Sequence, residues 1–299
     1  MRQFLPFIVV GLTAGSVYGI AGMGLVLTYK TSGVFNFAHG AVAAIGAYVF
    51  YTLHHQQGLA WPLALLICLG VAAPIAGLAL ERIARLLAGS TATNRIVASV
   101  GLLLAIQGGA TVIYGAQIRS FPQFLPRGTF SVAGTAVGWD QFIVMVVAAG
   151  SALGLYLFFR RTRLGLSMQA VVDDPDLLAL SAVDPKMTRR SAWVIGSMFA
   201  ALSGVLIAPT IGPNLIDVFF VFLRALSAAV IGGFSSFSLA ILGALFFGIS
   251  DTALRSGLLG EATPGQREMV TIGVVLLAII VLTRYRKNMV DLLDTEAAA

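Results

Sequence analysis

Three groups of polar residues that could do chemistry interrupt the apolar sequence of this chain. The first is an amide and an imidazole, Asn36 and His39, which stand three residues apart in SGVFNFAHG and would share one helix face. The second is Arg224, the one charge deep within an apolar run. The third is the segment 160–190, which carries six of the nineteen basic and four of the thirteen acidic residues. Polar groups at membrane depth are typical of solute pathways.

Each single polar group also has a structural interpretation. Asn36 could cap a helix and His39 could lie in the interfacial zone, and the residue types alone favour this over a pathway role. Arg224 costs about 2.5–3.5 kcal/mol at mid-membrane. A water-bridged ion pair with Asp217, or snorkelling of the long Arg224 side chain to the outer surface, would offset that cost. A pathway role for Arg224 is the second interpretation.

Two Asp-Pro pairs divide the segment 160–190. Asp174 and Asp184 can each cap a helix that begins with the following proline. Between them, residues 175–183 predict a helix of about two and a half turns, which is too short to be stable alone. We therefore expect it to dock, either on the underside of its own bundle or on another subunit.

The composition indicates an all-α polytopic membrane protein with one transmembrane domain, residues 1–299. Apolar residues make up 58% of the chain and charged residues 11%, against about 25% charged in soluble domains. Since a span needs about 20 apolar residues, we predict nine candidates: 4–29, 34–53, 59–80, 95–115, 139–159, 191–211, 218–233, 236–253 and 267–283. Residues 218–233 could instead re-enter, and residues 29–36 could be an unwound break, which leaves eight or nine crossings open.

Ladders of small residues predict where these helices touch. Small residues four apart line one helix face and let another backbone approach closely. Three such ladders occur, at Gly11, Gly15 and Gly19, at Gly101, Ala105 and Gly109, and at Ala240, Ala244 and Gly248. We assign all three to helix packing.

The distribution of basic residues predicts orientation. Most of the nineteen Lys and Arg residues fall on the same side as 160–190, which places that segment in the cytoplasm, the N-terminus outside and the C-terminus inside. The net charge of +6 comes from these flanking residues, so a nucleic-acid partner is excluded.

The long outer loop 116–138 could receive a soluble partner. The single cysteine excludes an intrachain disulfide, and His54 and His55 have no nearby acid or cysteine for a metal.

Three function classes compete: the membrane part of an ATP-driven transporter, an ion-coupled carrier or channel, and an intramembrane enzyme. No lysine has the flanking residues of a phosphate-binding loop, so the chain is not the ATPase itself. Ion-coupled carriers place acids near mid-membrane, whereas the acids here stand near span ends. No paired acid or Ser-His arrangement supports hydrolysis. A bundle with a short docking helix best suits a permease driven by a separate ATPase.

The chain resembles the LivH-type permeases of bacterial branched-chain amino acid ABC importers. The resemblance covers about residues 10–285 and rests on three motifs in order, NFAHG followed by AIGAY, AVVDDPDLLALSAVDP, and LRALSAAVIGGFSSFSLAILGALFFG. It implies a type II importer-like bundle in the bacterial inner membrane. Its partners would be two ATPases that bind the ATP and magnesium, a second permease that is a copy or a paralogue, and an extracytoplasmic solute-binding protein. No cofactor is expected in this chain.

The resemblance also implies roles for individual residues. The segment 160–190 would be the cytoplasmic coupling loop, and its helix would sit in a groove of the ATPase. That helix comprises Asp174, Pro175, Asp176, Leu177, Leu178, Ala179, Leu180 and Ser181. The motif near the solute pathway would be Asn36, Phe37, His39 and Gly40, with Arg224 as a further candidate. Ala41 stands where many members carry an acid. The family also moves urea, short amides and aromatic acids, and no residue here selects among these solutes.

Overall fold

The computed structural model describes most of the chain as a helical bundle with one small hairpin. The described residues are 4–34, 36–115, 121–132, 134–173, 175–181, 183–211, 215–234 and 236–255, with single positions 263, 266, 269, 270, 273 and 277. The helices are α1 (Leu5–Ser32), α2 (His39–Tyr51), α3 (Trp61–Ile67), α4 (Ala73–Leu86), α5 (Ala92–Tyr114), α6 (Trp139–Arg161), α7 (Arg163–Asp173), α8 (Pro175–Leu180), α9 (Pro185–Ile211), α10 (Leu215–Ile231) and α11 (Phe237–Arg255). The strands are β1 (Thr129–Val132) and β2 (Thr135–Gly138). Single π-helical turns extend α2 (Thr52–Gln56) and join α3 to α4 (Cys68–Ala72).

Six stretches of helix within the described residues are long and apolar enough to cross a membrane. They are Leu5–Ser32, Trp61–Leu86, Thr93–Tyr114, Trp139–Arg161, Pro185–Ile211 and Phe237–Leu254. The predicted count of eight or nine is therefore not confirmed. The predicted span 34–53 begins late, at His39, because Gly33 ends α1 with a left-handed φ of 64° and a turn follows. The predicted span 267–283 lies outside the described stretches, apart from single positions.

Helix α1 lies at the centre of the bundle. In its apolar window 67% of the residues are buried, against 11% for α5 and 17% for α6. Helices α9, α10 and α11 all pack against α1, and α2 packs against α9 and α10. Helices α5 and α6 consequently present most of their apolar surface to the surroundings, as membrane helices do in contact with lipid.

Small residues let α1 and α11 approach closely. A side-chain carbon at Gly15 would lie 2.7 Å from Leu245 Cα, and one at Gly248 would collide with the backbone of Gly11 and Gly15. The first and third ladders of small residues therefore pack on each other, which confirms their predicted role. The second ladder differs, because a carbon at Gly101 or Gly109 would meet no described atom within 4 Å.

Glycine residues likewise let α9 pack closely against its neighbours. A side-chain carbon at Gly24 of α1 would lie 2.7 Å from the carbonyl oxygen of Gly196 in α9. One at Gly204 of α9 would collide with the Ala43 carbonyl of α2. Helix α9 therefore makes close backbone contacts with α1 and α2, the two helices that flank the NFAHG motif.

An ordered aromatic segment and a hairpin close one end of the bundle, called the hairpin side below. Phe124 packs 4.7 Å from Phe50, and Phe121 stacks on the same ring at 6.0 Å. Strands β1 and β2 pair antiparallel, with Thr129 opposite Gly138, and lead directly into α6. The backbone N–H of Trp139 donates to the Gly128 carbonyl at 3.1 Å, which ties the start of α6 to the hairpin.

The opposite end carries α8 and is called the α8 side. Asp184 Oδ1 accepts a hydrogen bond from the Lys186 N–H at 2.8 Å, so the predicted cap of the helix that begins at Pro185 is confirmed. Glu81 of α4 is buried and lies 3.3 Å from Arg85 and 3.6 Å from Arg190 of α9. The base of α9 is thereby tied to α4 as well as to the α7–α8 segment.

The close α1–α11 contact predicts unequal effects of two identical substitutions. Gly248→Ala should lower the free energy of unfolding by about 1–3 kcal/mol, because the added methyl group meets rigid backbone. The matched control Gly101→Ala should leave it unchanged or raise it by up to about 1 kcal/mol, since open space surrounds Gly101 and alanine favours helix. Denaturant unfolding of the purified chain in detergent measures both changes. Equal effects would contradict the packing described here.

Candidate functional site

The Asn36 side chain is buried in the turn between α1 and α2. Its residue exposure is 3%, and its Nδ2 has no hydrogen-bond partner among the described residues. Ala38 occupies the N-cap of α2 without a side-chain hydrogen bond, so the capping role considered for Asn36 is not observed. A buried amide donor without a partner costs about 1–3 kcal/mol. Native structures keep such groups where another requirement outweighs that cost.

His39 starts α2 and reaches across to α1. Its Nε2 lies 3.0 Å from the Ala21 carbonyl oxygen, and since a carbonyl only accepts, Nε2 carries the proton and donates. The imidazole is 1% exposed, and its ring centroid lies 6.4 Å from that of Phe222 in α10. A side-chain carbon at Gly24 would lie 2.9 Å from the imidazole Cε1, so that glycine makes room for the ring. His39 thus joins α1, α2 and α10.

Phe37 and Gly40 complete the contact with α10. The Phe37 ring meets Phe222 edge to face, with centroids 6.2 Å apart. A side-chain carbon at Gly40 would lie 2.8 Å from Phe222 Cβ, so glycine is needed for this approach. The structure therefore brings Asn36, His39 and the other motif residues together at one junction, called the α1–α2–α10 junction.

Arg224 forms a second buried cluster on α10. Its Nη2 lies 3.4 Å from Asp251 Oδ1 of α11, and the two residues are 4% and 5% exposed. Tyr18 of α1 donates its hydroxyl to the other carboxylate oxygen at 3.4 Å, and the guanidinium lies 5.9 Å from the Tyr18 ring centroid. The charge is thus balanced inside the bundle. The side chain of Asp217, the partner predicted from sequence, lies outside the described residues.

Sequence reasoning missed Asp251 and Tyr18. Asp251 stands two residues before the end of the predicted span 236–253, and the sequence alone does not show that it is buried. The sequence does contain a signal for Asp251, because a buried arginine such as Arg224 needs a buried acid and few acids stand within apolar runs. Tyr18 and Ala21 are three residues apart on α1, so the arginine cluster and the α1–α2–α10 junction lie about one turn apart.

The predicted coupling helix lies far along the chain from this junction, on the α8 side. It is shorter than predicted, since α8 covers only Pro175–Leu180 and contacts α7 and α9. Leu178 is buried against the chain itself, whereas Leu180 is 85% exposed. Ala179 and Ser181 are also exposed. Asp174 and the side chains of Pro175, Asp176 and Leu177 lie outside the described residues.

The arrangement is suited to binding and movement. Within the described residues, no group of three His, Cys, Asp or Glu side chains could hold a metal ion. What converges on α1 and α10 is one amide whose Nδ2 has no partner among the described residues, one buried imidazole and one neutralised ion pair. Groups of this kind hold helices in register and can exchange partners when the helices move.

Comparison with known sequences identifies similar proteins over nearly the whole chain. Residues 7–282 match the family described as branched-chain amino acid transport system / permease component. The chain is 28% identical to the high-affinity branched-chain amino acid transport system permease protein BraD of Pseudomonas aeruginosa, with 93% of this chain and 94% of BraD covered. It is 27% identical to LivH of Escherichia coli K12, with 94% and 95% covered. It is also 27% identical to a probable LivH of Methanocaldococcus jannaschii, with 79% and 76% covered.

A solved structure shares the fold. The chain resembles one in the structure of PsaBC from Streptococcus pneumoniae in complex with Fab, with a TM-score of 0.50 over 94% of this chain and 91% of that one. Sequence identity is 14%, so the likeness concerns the fold alone.

The buried ion pair predicts non-additive effects on stability. Arg224→Met and Asp251→Leu should each lower the free energy of unfolding by about 3–5 kcal/mol, because each leaves one buried charge uncompensated. The double variant should lose less than the sum of the two single losses, since it leaves neither charge behind. Unfolding of the four proteins in one detergent measures the coupling. Additive losses would contradict a direct pair.

Proposed function

The chain belongs to the family of permease components of branched-chain amino acid transport systems, and from that premise we propose that it moves branched-chain amino acids inward as the membrane subunit of an ATP-driven importer. The family match carries this proposal, since it covers residues 7–282, from the first turns of α1 to beyond α11, and includes the α8 segment. The relatives BraD and LivH are named for high-affinity transport of the same solutes. The six long apolar helices fit a multi-pass inner-membrane protein.

The energy source is a separate protein. The sequence contains no phosphate-binding loop of its own, and in this proposal two ATPase subunits, as the family resemblance implies, supply ATP hydrolysis with its magnesium. Their docking point is α8, where Leu180 exposes an apolar side chain at the end of a polar segment. Leu178 holds α8 to its own bundle. In this proposal α8 uses Leu178 to dock on its own bundle and Leu180 to dock on the ATPase.

The α8 side faces the cytoplasm in this proposal. The basic residues near this end include Arg85, Lys186, Arg189 and Arg190, which agrees with the rule that positive charge stays inside. The hairpin side then faces outward and receives the solute-binding protein. A second permease, either a copy or a paralogue, completes the membrane unit.

Solute passes the α1–α2–α10 junction. Support comes from the buried Asn36 amide, whose Nδ2 has no partner among the described residues and is available to a passing solute. His39 donates to Ala21 in the closed junction and is freed when α1 and α2 separate. Movement of α8 reaches this junction through α9, which contacts α8, α1 and α2.

Leucines on the α8 side test the coupling. Leu180→Asp should reduce solute-stimulated ATP hydrolysis of the reconstituted importer to its basal rate, because a charge replaces the exposed apolar contact. The matched control Leu86→Asp changes a leucine that is 78% exposed at the end of α4 and should leave stimulation intact. Normal stimulation in Leu180→Asp would remove α8 from the ATPase contact. Uptake driven by an ion gradient without ATP would contradict the importer itself.

Two substitutions to leucine distinguish a role in the solute pathway from a role in helix packing at the α1–α2–α10 junction. Asn36→Leu should raise the free energy of unfolding by about 1–3 kcal/mol, because it removes an unpaired buried donor, and yet lower uptake. His39→Leu should lower both stability and uptake, since it breaks the bond to Ala21. Unfolding in detergent and solute uptake in proteoliposomes give the two readouts. Uptake by Asn36→Leu equal to wild type would return that residue to a packing role.

A further inference from the structure

A cavity opens on the hairpin side of the bundle. It lies between α1, α6, α9 and the aromatic segment 121–125, and its volume is about 270 Å³. Ligand pockets for drug-sized molecules run from about 300 to 1,000 Å³, so this one suits a single small solute. Its walls are mainly apolar and include Val17, Phe124, Val144, Leu206 and Ile207.

One acidic group stands at the wall of this apolar chamber. Asp140, in the first turn of α6, lines the cavity and is half-buried. No Lys or Arg among the described residues lies within ion-pair distance of its carboxylate. A side-chain carbon at Gly138 would collide with Asp140 Oδ1, so glycine there leaves room for the carboxylate. Neighbouring Gln141 is already engaged, because its Oε1 accepts from the Gly138 N–H at 3.1 Å.

The lining selects a class of ligand. A carboxylate with no basic partner among the described residues attracts an ammonium group and repels phosphate or a fatty acid. The walls bury a compact apolar group of a few carbons. Gln123 is exposed at the rim and offers an amide N–H that can donate to a carboxylate. An acyl chain would match the walls but not Asp140, whereas urea could donate to Asp140 but has no apolar group to fill the chamber.

The cavity lies close to the α1–α2–α10 junction along α1. Val17 lines the cavity, and Ala21, whose carbonyl accepts the hydrogen bond from His39, lies one turn further along the same face of α1. A solute bound in the cavity would therefore lie about one helical turn from the hydrogen bond between His39 and Ala21.

We propose that this cavity is the receiving site for a zwitterionic amino acid with a branched apolar side chain, whose ammonium group binds Asp140 and whose side chain fills the apolar chamber. The inference rests on the proposed import function and assigns the solute class to a place in the chain. Asp140 then acts as a specificity-determining residue, since it separates amino acids from the corresponding carboxylic acids.

Uptake by the reconstituted importer with its binding protein tests the site. Asp140→Asn keeps the size of the side chain and removes its charge, and it should lower leucine uptake at least about tenfold, the scale of one charge-assisted hydrogen bond. Val10→Trp, which starts from a lining residue that is 45% exposed, should block the chamber and lower uptake as well. The matched control Ile8→Trp changes an α1 residue of similar exposure, 39%, outside the lining and should transport normally.

Photolabelling adds a readout that does not depend on turnover. A leucine analogue with a diazirine in its side chain should label residues 10–17, 140–144 or 206–210 of the complete importer, and excess leucine should prevent this. Labelling only elsewhere, or wild-type uptake in both Asp140→Asn and Val10→Trp, would overturn the site while leaving the importer assignment intact. Failure of the wild-type importer to take up any branched-chain amino acid would instead refute the proposed function and the inference with it.

Discussion

The close contact of α1 with α9 and α11 is the constraint on which the rest of the structure depends. In lipid there is no hydrophobic force between helices, so association relies on backbone approach and on polar contacts. Gly15 and Gly248 permit that approach on one side of α1, and Gly24 and Gly196 permit it on the other. Once α1 is fixed, Tyr18 and Ala21 stand where Asp251 and His39 can bond to them.

Charges inside the bundle follow from the same constraint. Arg224 and Asp251 are both buried and would each be costly alone, yet α10 and α11 place them 3.4 Å apart beside Tyr18. Within the described residues, Glu81 serves a comparable purpose on the α8 side, where it joins Arg85 and Arg190. Both clusters connect neighbouring helices and hold them in register.

A functional order along α1 emerges from these contacts. The proposed receiving cavity lies toward its N-terminal half, next comes the Tyr18 cluster, and then Ala21 with the α1–α2–α10 junction. Helix α9 runs beside α1 from the α8 side to the cavity, where Leu206 and Ile207 line the wall. One helix thus contacts the proposed ATPase docking helix, the junction and the proposed solute site.

The sequence by itself determined the class of protein, its mainly helical structure and its motifs, because apolar length, proline caps and basic flanks are local properties. It located Asn36 and His39 as candidates, predicted the Asp184 cap and foresaw the packing of the first and third ladders of small residues. Only the tertiary structure decided which partners meet: Asp251 for Arg224, Phe222 for Gly40, and open space for Gly101. The reason is that lipid-facing and buried faces of such helices are equally apolar, so periodicity carries no signal about which face packs. The count of eight or nine crossings is not confirmed, because α2 and α10 are shorter than the six long helices of the described residues and most of 267–283 lies outside them.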